Sequence, residues 1–311
     1  MAKKSKPLVW LEYAAARGLL GTLGVLPRRA AVAVSMSLAA AGYYALGGLR
    51  RVAMTNLRIA FPEKDSREHK RLAKGAFRNL GRILGELSQF PKATPESLNE
   101  LIEFQVDADV YAEYQRLKSE GRGVIIVSPH LGNWEMLVFG WAVYDAPMSY
   151  LARRLDNPLI EKLTSDLRRK FGNTPINKAN SAMAAARVLR NEGLLGILAD
   201  VNAHPKEGVF VPFFGIPACT SSGVALLAMR TNSAIVPMCG AWDEEKQHYI
   251  GVHGRVIYPA DTGDRKQDIV ATTAEFTAEV EKLVRRFPDQ WLWIHKRWKT
   301  RPPGEDDLYR S

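Results

Sequence analysis

After Pro95, short apolar runs alternate with longer segments of helical spacing, and this alternation most constrains the fold of the chain. The apolar runs are rich in branched side chains, as in buried strands. The predicted strands are Gly123–Ser128, Met148–Ala152, Thr174–Ile176, Leu194–Ala199, Ala234–Ala241 and Tyr249–Ile257. The predicted helices are Asn133–Tyr144, Pro158–Phe171, Ser181–Asn191, Ser222–Thr231 and Asp268–Phe287. This order predicts an α/β fold with a mixed, largely parallel central sheet flanked by helices.

The N-terminal segment has a different composition. Leu8–Leu26 is mostly apolar, and residues 30–49 carry no charge at all. A stretch of about 20 apolar residues can span a bilayer, but this one is rich in Ala, Ser and Gly. We expect two helices separated at Pro27 and partly inserted from the cytoplasmic face, with arginines at the lipid headgroups. The alternative is a helical hairpin buried against the main domain. The predicted division is a membrane-associated segment, 1–50, and a main domain, 51–311.

The charge of the chain favours anionic partners. Its 311 residues include 43 Lys and Arg against 33 Asp and Glu, a formal net charge of +10. Nucleic acid, anionic lipid headgroups and an acidic carrier protein all fit such an excess. An amphipathic helix is predicted from Asp65 to Phe90, and one of its faces is basic. The basic side chains are Arg71, Lys74, Arg78 and Arg82. This face is either solvated or a platform for lipid phosphates or a carrier protein. Nucleic acid is not a predicted partner, because no groove-reading or base-stacking motif accompanies the charge.

A histidine motif, SPHLGNWE, follows the first predicted strand. Active sites of open α/β sheets collect at the carboxyl ends of strands, where His130 lies. Histidine accepts a proton from a hydroxyl near neutral pH, and a carboxylate can orient its ring. Glu135, in the first turn of the next helix, is the predicted orienting carboxylate, and Asn133 is the predicted helix cap. His-x4-Glu is common by chance, so a merely structural histidine is the alternative.

Neither a metal centre nor a disulfide framework is predicted. The sequence lacks the paired histidines of a zinc protease, and no third ligand accompanies His130 and Glu135. Cys219 and Cys239 form no close-spaced pair, which fits a reducing compartment.

Further motifs accompany the histidine motif in a consistent order. In the form HLGNWE it resembles the His-x4-Asp/Glu signature of glycerophospholipid acyltransferases, and in particular the bacterial late acyltransferases of lipid A biosynthesis. The other blocks that resemble this family are Asn56-Leu57 with Phe61-Pro62-Glu63, Arg153 to Pro158, Asp200, Phe210 to Gly215 followed by Thr220, and Trp291 to Lys299. Together these blocks are far more specific than the histidine motif alone.

The resemblance implies an O-acyltransferase that moves a fatty acyl chain from an acyl carrier protein or coenzyme A thioester to a hydroxyl of a lipid acceptor. His130 would be the general base, oriented by Glu135, with no covalent acyl-enzyme and no cofactor. Arg168 and Arg154 match arginines that assist catalysis or bind the acceptor; the alternative for both is a solvated charge. Asp200, at the end of a predicted strand, is expected near His130 as catalytic support, or else as a polar strand end. The implied location is the cell inner membrane, with the site facing the cytoplasm.

Two aromatic segments each have two possible roles. Phe210, Phe213 and Phe214 are predicted to line the acyl-chain pocket, or alternatively to form a core strand. Trp291–Trp298 alternates like a strand and is either structural or an interfacial aromatic segment.

The acceptor is expected to be a lipid A precursor. Because Val201 and Asn202 depart from the Gln or His that follows the aspartate in many family members, a lysophospholipid, an aminolipid and a phosphoinositol mannoside remain alternatives. A nonenzymatic membrane-bound scaffold is the alternative from another functional class.

Overall fold

The computed structural model describes residues 5–152, 155–177, 181–191 and 193–310, and their strands form one large sheet and one separate hairpin. The strands are β1 (Ile102–Gln105), β2 (Val124–Ser128), β3 (Ser149–Ala152), β4 (Thr174–Asn177), β5 (Leu194–Leu198), β6 (Gly208–Phe213), β7 (Ile216–Ser221), β8 (Ala234–Asp243) and β9 (His248–His253). Seven of them form a sheet in the order β1-β9-β8-β2-β5-β3-β4, and β6 pairs with β7 alone.

The large sheet is mostly parallel. Every neighbouring pair in it runs parallel except β8 and β9, which are antiparallel. The predicted α/β class with a mixed, largely parallel sheet is therefore confirmed. Because β2, β3, β5 and β8 run in one direction, their carboxyl ends meet at one edge, as a site of the predicted kind requires.

Helices cover both faces of this sheet. They are α1 (Lys6–Val25), α2 (Arg28–Ala45), α3 (Gly47–Ala60), α4 (Ser66–Gln89), α5 (Pro95–Leu101), α6 (Ala108–Ser119), α7 (Trp134–Tyr144), α8 (Pro158–Arg168), α9 (Ser181–Arg190), α10 (Gly223–Thr231) and α11 (Arg265–Arg286). Leu117 of α6 and Trp141 of α7 pack on one face of the sheet, against Ile126. Helices α3, α4, α9, α10 and α11 contribute to the core on the other face, with Ile125 and Val127. The strands are buried on both sides, which explains why their sequences read as continuous apolar runs.

The N-terminal helices lie against the α/β core through α4. Gly81 and Gly85 of α4 allow α2 to approach so closely that a Cβ at Gly85 would lie 2.6 Å from the Cα of Val32. Arg28, at the start of α2, forms an ion pair with Glu86, whose side chain is almost fully buried. These contacts fit the alternative of a helical hairpin packed on the main domain. Many apolar side chains of the same helices remain exposed, and the expected partial membrane insertion stays a prediction.

The predicted apolar segment 30–49 is not one straight helix. Helix α2 ends at Ala45, α3 begins at Gly47, and the two helices meet at 87°. Paired glycines at 47 and 48 lower the helix propensity at this junction. Among the described residues no single helix has both the length and the composition to cross a membrane, whereas α2 and α3 together pass that test as a bent pair. The predicted helix break at Pro27 is confirmed, and the domain division at residue 50, which falls inside α3, stays a prediction.

The strand-like alternation of Trp291–Trp298 does not correspond to a strand, and the segment has the structural role that was one of its two expected alternatives. This segment forms successive turns. Among the described residues, its backbone makes one isolated bridge, between Trp291 and Leu131 in the loop after β2. Its alternation reflects three fully buried indoles, Trp291, Trp293 and Trp298, which pack around Phe213 and Phe214. The spacing of the tryptophans in the sequence therefore indicates buried side chains and not a strand.

Candidate active site

The register of two parallel strands brings His130 and Asp200 together. Ser128 of β2 lies opposite Leu198 of β5, and each strand is followed two residues later by one of the two polar side chains. His130 Nδ1 lies 2.7 Å from Asp200 Oδ1. The sheet edge therefore holds a histidine–carboxylate pair, as expected for catalytic support by Asp200.

Three donors converge on the carboxylate of Asp200. Its Oδ1 accepts the ring N–H of His130, while its Oδ2 accepts the backbone N–H of His130 and the indole N–H of Trp291, both at 2.7 Å. A carboxylate only accepts, so His130 Nδ1 must carry the proton and neutral His130 leaves Nε2 as a free base. Nε2 makes no hydrogen bond within the described part of the chain, and the His130 side chain is 20% exposed. Trp134 packs edge-on against the ring, with 5.1 Å between centroids.

The electrostatics of the pair raise the pKa of His130 and lower that of Asp200. Burial pulls the pKa of His130 down, but the charge and hydrogen bond of Asp200, with the charge of Glu135, outweigh it and leave the pKa above its ordinary value. Burial alone would raise the pKa of Asp200, but His130 and the Trp291 hydrogen bond hold it below its usual value. The carboxylate thus stays ionised and stabilises the imidazolium that forms when Nε2 takes a proton.

Glu135 binds Arg168 rather than His130. Arg168 Nε lies 3.1 and 3.0 Å from the two carboxylate oxygens, and Nη2 also donates to Oε1. Both side chains are mostly buried, and the Arg168 guanidinium lies 5.8 Å from the ring centroid of Tyr150. This corrects the expectation that Glu135 orients the imidazole. Asp200 already occupies Nδ1, and the end of α8 presents a guanidinium that the first turn of α7 reaches. Glu135 acts on His130 only through its charge.

The loop that carries His130 is fixed by its backbone. Gly132 has φ +60°, and a Cβ there would lie 2.0 Å from the carbonyl oxygen of Gly240, so only glycine fits. Asn133 caps α7 as predicted: its Oδ1 accepts from Met136 N, and its side chain is fully buried. Asn79 of α4 donates to the carbonyl oxygen of Gly132, which links the loop to the helix on which α2 packs.

The turn-rich segment after α11 contributes groups that we did not predict individually. Besides Trp291, it supplies His295, whose Nε2 accepts the backbone N–H of Asn202, and Arg297, which donates to the Val201 carbonyl. Burial and the nearby His130 lower the pKa of His295, against the opposing charge of Asp200. The resemblance in this block marked these positions, but nothing in their spacing indicated that they border Asp200.

The remaining predicted site residues divide into three cases. Arg154 lies outside the described residues. Phe213 and Phe214 are buried in the aromatic core, whereas Phe210 is half-buried. The acyl-pocket role of these phenylalanines therefore stays a prediction. Within the described ranges, no cluster of three or more His, Cys, Asp or Glu side chains has an arrangement that would hold a metal ion.

The fold is α/β, and a histidine–carboxylate pair lies at the carboxyl ends of two of its parallel strands. The chain belongs to the bacterial lipid A biosynthesis acyltransferase family, because a sequence model of that family matches residues 1–300. It is 24% identical over 263 residues to the lipid A biosynthesis lauroyltransferase of Escherichia coli K12, covering 83% of this chain and 82% of that protein.

Two further Escherichia coli K12 relatives have similar coverage. The lipid A biosynthesis palmitoleoyltransferase is 26% identical over 83% of this chain and 81% of its own length. The lipid A biosynthesis myristoyltransferase is 25% identical over 84% of this chain and 78% of its own length. Family membership and these relatives identify the chain as an acyltransferase.

Proposed function

We propose that this enzyme transfers a fatty acyl chain from a thioester of acyl carrier protein or coenzyme A to a hydroxyl of a lipid A precursor. The observation that carries the proposal is the His130–Asp200 pair, which leaves His130 Nε2 without a hydrogen bond to any described residue, on a side chain that is 20% exposed. The family names of the relatives supply the acceptor class.

In the proposed reaction, His130 Nε2 takes the proton of the acceptor hydroxyl as its oxygen attacks the thioester carbonyl carbon. Asp200 stabilises the resulting imidazolium through Nδ1–H. The C–S bond then breaks, and the departing thiolate receives the proton from Nε2. Atoms balance without a covalent acyl-enzyme, and no cofactor is needed.

The Glu135–Arg168 pair is proposed to act on the substrates. Glu135 holds the guanidinium through Nε and Nη2 and leaves the two hydrogens of Nη1 as donors. An arginine fixed in this way can stabilise the oxyanion of the tetrahedral intermediate or bind a phosphate of the acceptor. Burial lowers the pKa of Arg168, but the hydrogen bond and charge of Glu135 outweigh it, so the donor stays charged. Both residues of the predicted His-x4-Glu motif thus keep a place in the mechanism, with Glu135 acting through Arg168.

Inner-membrane association with a cytoplasm-facing site is also part of the proposal. It is supported by exposed apolar side chains that cluster on the N-terminal helices. They are Leu8, Trp10, Leu11, Leu19, Val25, Val34, Leu38, Tyr44, Leu46 and Leu49. Helix α1 is joined to the start of α8, whose other end carries Arg168, because Asn157 donates to the Val9 carbonyl and to Glu12. A membrane bound by α1 would therefore lie near the helix that presents Arg168.

The test is acyl transfer by the purified full-length protein, with acyl carrier protein and coenzyme A thioesters offered against a panel of lipid acceptors. We expect a new acylated lipid A precursor by mass spectrometry, its loss in His130→Ala, and its retention in His204→Ala, a control at an exposed histidine. Equal product from wild type and His130→Ala would refute the base assignment. Product only with a lysophospholipid, an aminolipid or a phosphoinositol mannoside would replace the acceptor. No product with any acceptor, together with an unchanged cellular phenotype of His130→Ala, would favour a membrane scaffold.

A further inference from the structure

The segment after α11 buries a positive charge that the proposed mechanism does not use. Arg297 is 0% exposed. Its terminal nitrogens donate to the carbonyls of Val201 and Cys219 and to the hydroxyl of Thr220, while Nε has no acceptor among the described residues. No carboxylate of the described chain lies within ion-pair distance of the guanidinium. A buried cation without a direct counter-ion is strongly unfavourable, so its presence calls for a compensating anion nearby.

The anion whose charge acts most on Arg297 is Asp200. The Val201 carbonyl that accepts from Arg297 directly follows Asp200 in the chain, and the carboxylate is itself only 3% exposed. Burial lowers the pKa of Arg297 to about 10, and the negative charge of Asp200 is the largest influence in the opposite direction. When His130 is neutral, the buried cluster therefore holds one positive and one negative charge that do not touch.

We propose that Arg297 is a positioning residue whose charge balances Asp200 and limits the proton affinity of His130 in the resting enzyme. With Arg297 present, the cluster is neutral until His130 takes the proton of the acceptor. Without it, the buried His130–Asp200 pair would carry a net negative charge and would bind a proton more tightly. A base that is already protonated cannot accept the hydroxyl proton. This inference rests on the proposed role of His130 as general base.

A purely structural role makes a different prediction. The hydrogen bonds of Arg297 also tie the β6–β7 hairpin, through Cys219 and Thr220, to the segment that carries it. If only these bonds matter, substitution will lower stability without changing the proton affinity of His130. The charge and the hydrogen bonds can be separated by comparing neutral and charged replacements.

The experiment is an NMR titration of His130 in the full-length protein, assigned by loss of its signal in His130→Gln. The variants are Arg297→Gln and Arg297→Met, which are neutral, and Arg297→Lys, which keeps the charge. Arg301→Gln is the matched control, because Arg301 lies in the same segment, is mostly buried and has its own carboxylate partner, Glu305. Thermal unfolding and the pH dependence of kcat are measured on the same samples.

We expect the neutral variants to raise the apparent pKa of the His130–Asp200 pair by about 0.5 to 1 unit, a threefold to tenfold gain in proton affinity. The ascending limb of kcat should move upward with it, while Arg297→Lys and Arg301→Gln stay within about 0.2 unit of wild type. An unchanged His130 pKa in a folded neutral variant would overturn the proposal. Failure of both neutral variants to fold would also overturn it, since Arg297 would then serve folding. A shifted pKa in a protein that transfers no acyl group would support the positioning role and refute the proposed function.

Discussion

Replacing Asp200 by asparagine should abolish most turnover through the tautomer of His130. In the wild type, Oδ2 accepts two N–H groups, from the backbone of His130 and from Trp291, and Oδ1 accepts the ring N–H. The amide oxygen of asparagine must take the position with two donors, so its NH₂ group faces Nδ1. Nδ1 then has to accept, the ring proton moves to Nε2, and the base is blocked.

The size of the effect follows from the charge that is lost. Two unit charges about 4 Å apart interact with about 4 kcal/mol at the effective dielectric of protein sites. Asp200 is buried and in direct contact with the ring, so little of this is screened. Loss of that stabilisation in the transition state corresponds to about a thousandfold fall in kcat.

The assay is kcat as a function of pH for wild type, Asp200→Asn and Asp166→Asn, a control at a carboxylate on the exposed face of α8. The ascending limb of the wild type should lie above pH 6.5, because the pKa of His130 is raised from that value. In Asp200→Asn the ascending limb of the residual activity should lie at lower pH than in the wild type, because the anion that stabilises the imidazolium is gone. A fall in kcat of less than about tenfold, or a limb at the wild-type position, would refute the reasoning.

Two other predictions follow from the contacts of the site and of α2. Glu135→Gln removes the carboxylate that holds Arg168 and should lower kcat/KM about 10- to 100-fold. The ascending limb of its pH profile should move to lower pH by less than that of Asp200→Asn. An equal or larger shift would mean that Glu135 orients His130 after all. Gly85→Leu places atoms where Val32 of α2 lies and should lower the free energy of unfolding by about 1–3 kcal/mol. Gly18→Leu, where a Cβ meets nothing within 4 Å, is its control in chemical denaturation, and equal stability of the two variants would contradict the close packing of α2 on α4.

Most strands and helices of the α/β core were predictable because their patterns are local, whereas β1 and α6, which have no continuous apolar run, were not predicted. Sequence placed both His130 and Asp200 at strand ends, and the register of β2 with β5 in the structure brings them together. The partner of Glu135 was not predictable in the same way. Spacing shows that Glu135 lies one helical turn from the histidine loop, but not that the end of α8 brings Arg168 within reach.

Two other differences have the same origin. The uncharged stretch 30–49 is long enough to span a membrane, but its length does not reveal the bend at Leu46 between α2 and α3. The strand-like appearance of Trp291–Trp298 is produced by turns that bury all three indoles, Trp291, Trp293 and Trp298. Most backbone hydrogen bonds of the segment stay within it, although Leu292 N donates to the His130 carbonyl.

The contact between Trp291 and Asp200 also has a consequence for the order in which the protein is made. The apolar helices α1 and α2 leave the ribosome well before the indole that holds the carboxylate of Asp200. A nascent chain that has exposed α1 and α2 but not yet Trp291 lacks one of the hydrogen bonds that hold the proposed catalytic pair. Because chains fold from the N-terminus as they emerge, the surface proposed to bind the membrane forms before the enzyme can act. A newly made molecule would therefore become active only after it has had time to reach the bilayer.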